Sequence, residues 1–449
     1  MTAGRLEIAD ASSWPGSWER ATFEELLRAG DLLVIQDGNH GSKYPKAEEF
    51  GPIGLPLITG AEMASGRIDL TGAKRLNHKT AESLTKGRAK AGDVLLTHKG
   101  SIGKTAIVPP DHCGEIILNP QITLYRVAEN GRIDRQFLKY FFDTRIFQDF
   151  LTRVTGISTI PTIGLKAQKS VEFVFPDRNE QREIAAVLGA LDDKIELNRK
   201  TAATLEEMAR ALYRSWFIDF DPVHAKAQGR APAHMDPATA ALFPDSFGED
   251  GLPEGWDIGS LVDAFDIVMG QSPPGDTYNE NGNGLPFYQG RTDFGFRFPK
   301  IRKYCSAPSR MAPRDSILLS VRAPVGDLNR AWEQCCIGRG VASLAEKSGR
   351  NAYGYEAMWA LSDALKAYDN EGTVFGSINK KQLSSLELVL SPNELRDAFE
   401  DIVRPIDEQV RNITAENQTL ATLRDTLLPR LMSGELRVGE AKEELDAVS

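Results

Sequence analysis

The sequence predicts an α+β fold: two repeated mixed α/β units separated by a pair of long antiparallel coiled-coil helices, with internal pseudo-two-fold symmetry. Three observations predict it. First, the chain repeats itself. Residues 54–60 read GLPLITG and residues 284–290 read GLPFYQG, and GDVLLTHKGSIG from Gly92 returns as DSILLSVRAPVG from Asp315. A weaker echo of Val154–Pro176 runs from Glu371 to Pro392. Second, short apolar runs bounded by Gly, Pro, Asn and Asp read as strands and turns inside each repeat. Third, each repeat closes on a long heptad-patterned segment. A chain of 449 residues exceeds what one core organises, so several domains are expected.

In chain order, residues 1–19 form an N-terminal arm and residues 20–176 the first unit. Strands are expected at Leu32–Ile35, Val94–Leu96, Ile116–Leu118 and Val171–Val174, with one helix over Arg135–Thr152 whose apolar face carries Phe137, Tyr140, Phe141 and Phe147. Residues 177–220 are a spacer helix. Its seam is Ile184, Leu188, Leu191, Ile195, Asn198, Ala202, Leu205, Ala209 and Leu212, alternating steps of four and three. Asn198 is a polar seam position of the kind that fixes register. Residues 221–255, rich in Pro, Ala, Gly and acid, are a linker. The second unit spans 256–392. Residues 393–436 are the second spacer helix, with Leu395, Phe399, Ile402, Ile406, Ile413, Leu420, Leu423 and Leu427 in its seam and Gln409 and Glu416 as polar seam positions. Pro405 is expected to bend it or delay its start. Residues 437–449 are a frayed tail.

An exposed apolar stripe on a long helix needs a partner, and the nearest is the other stripe. Roughly 30 helical residues give a rod of about 45 Å, the length of about 13 base pairs of duplex. A two-headed chain of this kind suits a target with two separated half-sites.

Composition bounds the function. Hydrophobic content of 41% with 26% charge is ordinary for a globular protein. No apolar run of about 18 residues is present, and the first residues, MTAGRLEIADASSW, lack a signal peptide's apolar core. Four cysteines without a CxxC pair point to a reducing cytoplasm. The net charge of −10 argues against nucleic acid until its distribution is mapped. From Lys74 to Lys104 there are eight Lys/Arg against two acids, and from Arg291 to Arg339 ten against four. Two basic patches in equivalent places form a phosphate-binding footprint; two solvated basic loops would give the same count.

Catalytic signatures do not appear. GSIGKT at Gly100–Thr105 has two residues between its glycines where a P-loop has four, and the AIVPP that follows does not open a helix. A glycine turn presenting Lys99 and Lys104 to phosphate is the better reading. SPPG at Ser272–Gly275 lacks the first amide or acid and the closing aromatic of an amino-methyltransferase loop. The six histidines have no metal-ligand spacing, and Asp111 with Glu115 lacks the lysine of a nuclease centre. No catalytic and no metal-binding residues are assigned.

Several motifs together carry a resemblance. They are NEQREIA from Asn179, YRSWFIDFDPV from Tyr213, LPEGW from Leu252, and LLPRLMSGEL from Leu427. In this order, on duplicated heads, they make the chain similar over essentially its whole length to the specificity subunit of type I restriction-modification systems. The resemblance implies two target-recognition domains, each reading half of a bipartite asymmetric duplex DNA site, with the helices as spacer. It implies two modification subunits carrying S-adenosylmethionine and two restriction subunits using ATP and Mg as partners. This chain itself would be non-catalytic, without a cofactor and without a membrane. The second head is shorter than the first and shares little loop sequence with it, which implies different half-sites.

Candidate DNA-binding residues follow from these loops. In the first head, Asn39, His40 and Lys43 are candidates for base edges, and Lys99, Ser101 and Lys104 for phosphate. In the second, the equivalents are Gln271, Ser272, Tyr278, Gln289, Arg291 and Arg322. Arg at guanine and Asn or Gln at adenine are the usual bidentate pairs. The loops Thr155–Thr159 and Gly372–Ser377 recur in both heads, and a folding turn explains them equally well. Trp216, Phe217 and Phe220 are read as packing or partner-docking residues, because duplex DNA offers no splayed bases to stack. A self-sufficient methyltransferase or nuclease with an unrecognised centre, and a coiled-coil scaffold, are the competing functions.

Overall fold

A computed structural model describes residues 6–8, 14–39, 45–64, 66–156, 160–370 and 376–446. The chain divides into two units, Met1–Ile195 with Thr419–Ser449, and Glu196–Gln418. Each unit therefore holds one sheet-rich head and part of both long helices, Arg178–Phe217 and Asn393–Met432.

The first head is built on an antiparallel sheet in the order Thr105–Ile107, Val94–Thr97, Ile122–Val127, Leu32–Asp37. Its second sheet has five short strands in the order Phe50–Gly51, Arg75–Leu76, Leu55–Ile58, Ile116–Leu118, Arg88–Ala89, with the Leu55 and Ile116 strands parallel. Glu19–Thr22 pairs with Glu172–Phe175, so both ends of the head meet in one ribbon.

The second head repeats this order strand for strand. Its four-stranded sheet runs Leu328–Arg330, Ile317–Ser320, Val341–Glu346, Phe265–Met269. Its five-stranded sheet runs Tyr278–Asn279, Tyr304–Cys305, Leu285–Tyr288, Cys335–Ile337, Met311–Ala312, and the Leu285 and Cys335 strands are again parallel. Asp257–Ser260 pairs with Glu387–Leu390 as the closing ribbon. The sequence repeat is thus a repeat of topology, and the α+β class holds. One ribbon, Met63–Ala64 with Arg67–Ile68, belongs to the first head alone among the described residues.

The single helix expected over Arg135–Thr152 is two, Arg135–Asp143 and Arg145–Thr155. Thr144 causes the break. Its hydroxyl donates to the Phe141 carbonyl (2.7 Å) and accepts from the Phe147 amide (3.3 Å), closing one helix and capping the next. Apolar periodicity carries through such a break because both helices bury aromatics in one core. Phe23, Phe137, Phe141, Phe142, Phe147 and Phe173 lie there together, with Ile184, Leu188 and Leu191 of the first long helix and Leu427 and Leu431 of the second. Ile8, Trp14 and Trp18 of the N-terminal arm are buried in the same core.

In the second unit Tyr213, Trp216 and Phe217 pack with Phe399, Tyr353, Phe243 and Trp256. Residues 221–255 carry two short helices, Asp221–Ala227 and Pro237–Ala241, and bury Val223 and Phe243 in this core. Phe220 packs at the rim of the core against Trp256 and Phe247.

Within each unit the long helices pair antiparallel. In the first unit Asp192 bonds Arg424 at 2.9 Å while Glu180 lies 3.7 Å from Arg437. In the second, Asn198 donates to Glu416 (2.9 Å) and Asn417 (3.0 Å), Ala202 packs with Val410 and Ile413, and Tyr213 meets Phe399. Ile184, Leu188, Leu191, Ile195, Phe399, Ile413 and Leu427 are buried; Leu205, Leu212, Ile406 and Leu420 are partly buried against the same clusters.

The second seam needs a correction. Ile402 is 43% exposed, whereas Val403 and Val410 are 1% and 2% exposed. The seam steps 399, 403, 406, 410, 413, 417, 420, so Asn417 occupies it and Gln409 lies outside. With Ile402 and Val403 adjacent, the pattern fits two registers one residue apart, and packing chooses between them. Pro405 neither delays the helix, which starts at Asn393, nor ends it. It lies exposed on the outer face.

Candidate nucleic-acid interface

The glycine turn at Gly100–Thr105 joins two antiparallel strands, Val94–Thr97 and Thr105–Ile107. This is a hairpin and not the strand-to-helix passage of a P-loop. Thr97 organises it: its hydroxyl donates to the Ser101 carbonyl (2.6 Å) and accepts from the Lys104 amide (2.9 Å). Gly100 and Gly103 take φ of 76° and 91°, which favours glycine. In the second head Ser320 does the same work, donating to the Pro324 carbonyl (2.8 Å) and accepting from the Asp327 amide (2.9 Å).

Each hairpin is clamped by the loop after the helical layer. Lys99 bridges Thr162 and Arg322 bridges Ser377. The Gly100 amide bonds Pro161, the Ala323 amide bonds Gly376, and both distances are 3.0 Å. Lys99 and Arg322 therefore sit at one structural position in the two heads, and both side chains are exposed. Pro161 and Thr162, just after the recurring loop Thr155–Thr159, and Gly376 and Ser377, at the end of the loop Gly372–Ser377, thus hold the hairpins in place; residues 157–159 and 371–375 of those loops lie outside the described residues.

Around the first hairpin lies an open cleft of about 350 Å³, lined by Thr59, Gly60, Lys99, Ser101, Lys104 and Gln121. Lys104 crosses it to donate to the Gly60 carbonyl at 2.5 Å. Ser101 is exposed on the turn. A larger cleft of about 700 Å³ in the same unit is lined by Asp31, Lys90, Asp93, Arg126 and Arg135. Two of its charges pair with each other, Arg126 with Asp93 at 2.6 Å, and Asp31 is tied to Arg132 at 2.7 Å. It offers a polyanion little.

Residues 27–207 match the family described as the type I restriction modification DNA specificity domain. The chain is also 27% identical over 435 residues to the putative type I restriction enzyme MjaX specificity subunit of Methanocaldococcus jannaschii, covering 94% of this chain and 95% of that protein. Over nearly its whole length this chain is similar to type I restriction enzyme specificity subunits. The HindI specificity subunit of Haemophilus influenzae is 28% identical over 338 residues, covering 62% of this chain and 72% of that one. The fold matches the crystal structure of the type I restriction-modification S subunit from M. genitalium, with a TM-score of 0.56, 15% identity, and coverage of 96% and 99%.

The remaining candidate residues fall unevenly. Asn39 is not presented to solvent. It is 5% exposed, and its amide donates to the Lys86 carbonyl (2.5 Å) and accepts from the Lys86 amide (3.3 Å). Both ends of the side chain stitch two loops together, and burial withdraws it from a base edge. His40 and Lys43 lie outside the described residues.

In the second head Gln271 and Gln289 are exposed. Ser272 accepts from Arg339 Nε at 3.2 Å. Tyr278 donates to the Pro273 carbonyl (2.8 Å) and stacks on Phe287 at 4.6 Å, and burial raises its phenol pKa. Arg291 pairs with Asp327.

The basic patches shrink once side chains are placed. Arg297 and Arg330 are 2% and 5% exposed, inside the second unit. Arg302 pairs with Asp293 at 2.6 Å, and Arg88 and Lys90 share Glu115. Lys300, Lys303, Arg310, Arg322 and Arg339 remain exposed in the second head, and Lys74, Arg75, Lys79, Lys86, Lys99 and Lys104 in the first. The residue missed from sequence is Asp327. Its signal was the repeat itself, which puts Asp327 where the first head has Lys104.

Proposed function

We propose that this chain is the sequence-specific recognition subunit of a type I restriction-modification complex, each head reading one half of a bipartite, asymmetric double-stranded DNA site. One observation carries the reading: the same clamped hairpin recurs in both heads with an exposed cation, Lys99 or Arg322, at the same position. Fixed cations on rigid turns position a duplex by its phosphates, and neighbouring loop residues then specify bases. In this reading two modification subunits with S-adenosylmethionine supply methyl transfer. Two restriction subunits with ATP and Mg supply translocation and cleavage, and the assembly works in the cytoplasm. Among the described residues no helix is long and apolar enough to cross a membrane.

The test is duplex binding by the full chain co-purified with its modification partner, measured against salt. Lys99→Glu and Arg322→Glu should each weaken binding, and Lys99→Ala should lower the salt slope by about one. Unchanged affinity and slope in all three variants would refute the interface.

A further inference from the structure

We propose that Arg291 reads a guanine in the half-site of the second head, and that Asp327 is the positioning residue that aims its guanidinium. The proposal rests on the duplex-recognition reading above and adds the base and the pair that reads it.

The two heads close the same gap with opposite chemistry. In the first, the loop after the Leu55–Ile58 strand carries Ala61, and the hairpin carries Lys104, which reaches the Gly60 carbonyl. In the second, the loop after the Leu285–Tyr288 strand carries Arg291, and the hairpin carries Asp327, which accepts from Arg291 Nε. A carboxylate on a turn facing a polyanion opposes phosphate binding. It also cancels the charge of the arginine it holds, so the pair is a poor phosphate grip. What the pair retains is direction. With Nε engaged by Asp327, the two terminal nitrogens of a planar guanidinium remain as a fixed fork, which matches the O6 and N7 acceptors of guanine in the major groove.

Both partners are held from behind and open in front. The Asp327 amide donates to Ser320 Oγ (2.9 Å), and its carbonyl accepts from the Ser320 amide (2.9 Å). Arg291 opens a short turn in which its carbonyl accepts from the Phe294 amide (2.9 Å). Asp293 pins the same turn, accepting from the Gln289 amide (2.8 Å) and from Arg302 (2.6 Å). The side chains of Arg291 and Asp327 are nevertheless 59% and 42% exposed. An exposed pair on a rigid loop adds little to stability, so its consequence is the aim of the arginine. The first head has no arginine at this position, so the contact belongs to one half-site only.

The experiment first maps the methylated site of the intact complex, then measures its binding to duplexes with each base pair of both half-sites exchanged. Arg291→Ala should reduce the preference for guanine at one position of one half-site by about tenfold or more, leaving the other half-site unchanged. Asp327→Ala should lower the same preference while raising affinity for unrelated duplex and steepening its salt dependence. A merely structural loss would do neither of the last two. Asp327→Glu should restore part of the preference. Preferences unchanged in Arg291→Ala would overturn the proposal. So would a uniform loss over all sequences with a salt slope lower by about one, which would make Arg291 a phosphate contact. If the wild-type complex itself shows no sequence preference, the recognition reading falls and this proposal falls with it.

Discussion

Arg297 looks like any other cation of the second head in the sequence, yet it is the centre of a buried charge cluster. Its guanidinium pairs with Asp407, lies 3.6 Å from Glu206 and 3.7 Å from Glu356, and stacks 3.3 Å over the Tyr355 ring. Arg330 also pairs with Asp407, and burial with the neighbouring Arg297 lowers its pKa to about 10. Removing one partner of such a cluster leaves charges without compensation in a low-dielectric interior. Arg297→Met should therefore destabilise the second unit by about 3–5 kcal/mol in chemical denaturation; a loss under about 1 kcal/mol would contradict this account. Glu356 is the cluster's weak acid. Burial pushes its carboxyl up to about 7 from an ordinary 4.5, although Arg297 and Arg210 oppose the shift. A carboxyl that binds its proton more tightly in the folded state stabilises the fold while protonated. That contribution is complete below about pH 4.5 and is lost as pH rises through about 7, on the order of 3 kcal/mol. Burial raises Glu206 in the same direction. Glu356→Gln should flatten the fall in stability between these pH values, and an identical slope in wild type and variant would show that another group carries it.

At the scale of elements, each long helix carries an anchoring acid at the same step from its start. Asp192 of the first accepts from Tyr140 (2.9 Å) and Arg424 (2.9 Å) and lies 3.4 Å from Lys139. Asp407 of the second takes Arg297 and Arg330. The heptad repeat thus holds a polar anchor beside the apolar seam, and each anchor ties a head to a helix within its own unit. Burial opposes ionisation of Asp192, but Lys139, Arg424 and Tyr140 outweigh it and its pKa is lowered. Pro405, exposed in the interior of a continuous helix, forfeits one amide hydrogen bond and crowds the preceding turn. Pro405→Ala should raise stability by about 1–3 kcal/mol. A lower melting temperature in that variant would mean that the helix path around the proline is itself required.

At the scale of the whole molecule, the repeated heads bring cations to two hairpins, and the proposed function assigns methyl transfer to partner subunits. Purified chain incubated with labelled methyl donor and duplex should transfer no label until a modification subunit is added. Transfer by the chain alone would restore the competing view of a self-sufficient methyltransferase. Much of this organisation was legible beforehand. The repeat of GLP motifs marked equivalent strands, and the hairpin motif marked Lys99 and Arg322 as counterparts. The heptads marked helices whose observed limits are Arg178–Phe217 and Asn393–Met432. Other parts were not legible. Counting charges cannot separate Arg297, which lies inside, from Arg322, which lies outside, because both are arginines between strands. Asn39 reads as a base-edge residue until its amide is found on Lys86.

What the sequence determined by itself is periodic: equivalent strands by repetition, helix extent by heptads, and the turns by glycine. These follow from local sterics and from the need to bury one face, which neighbouring residues encode. Tertiary structure decided which of two adjacent apolar residues, Ile402 or Val403, enters the seam. It also decided which cations meet solvent and that Asp327 faces Arg291 across a gap between two loops. Those outcomes depend on residues far apart in the chain being brought within a few ångströms, where desolvation and pairing act, and no local pattern records that proximity.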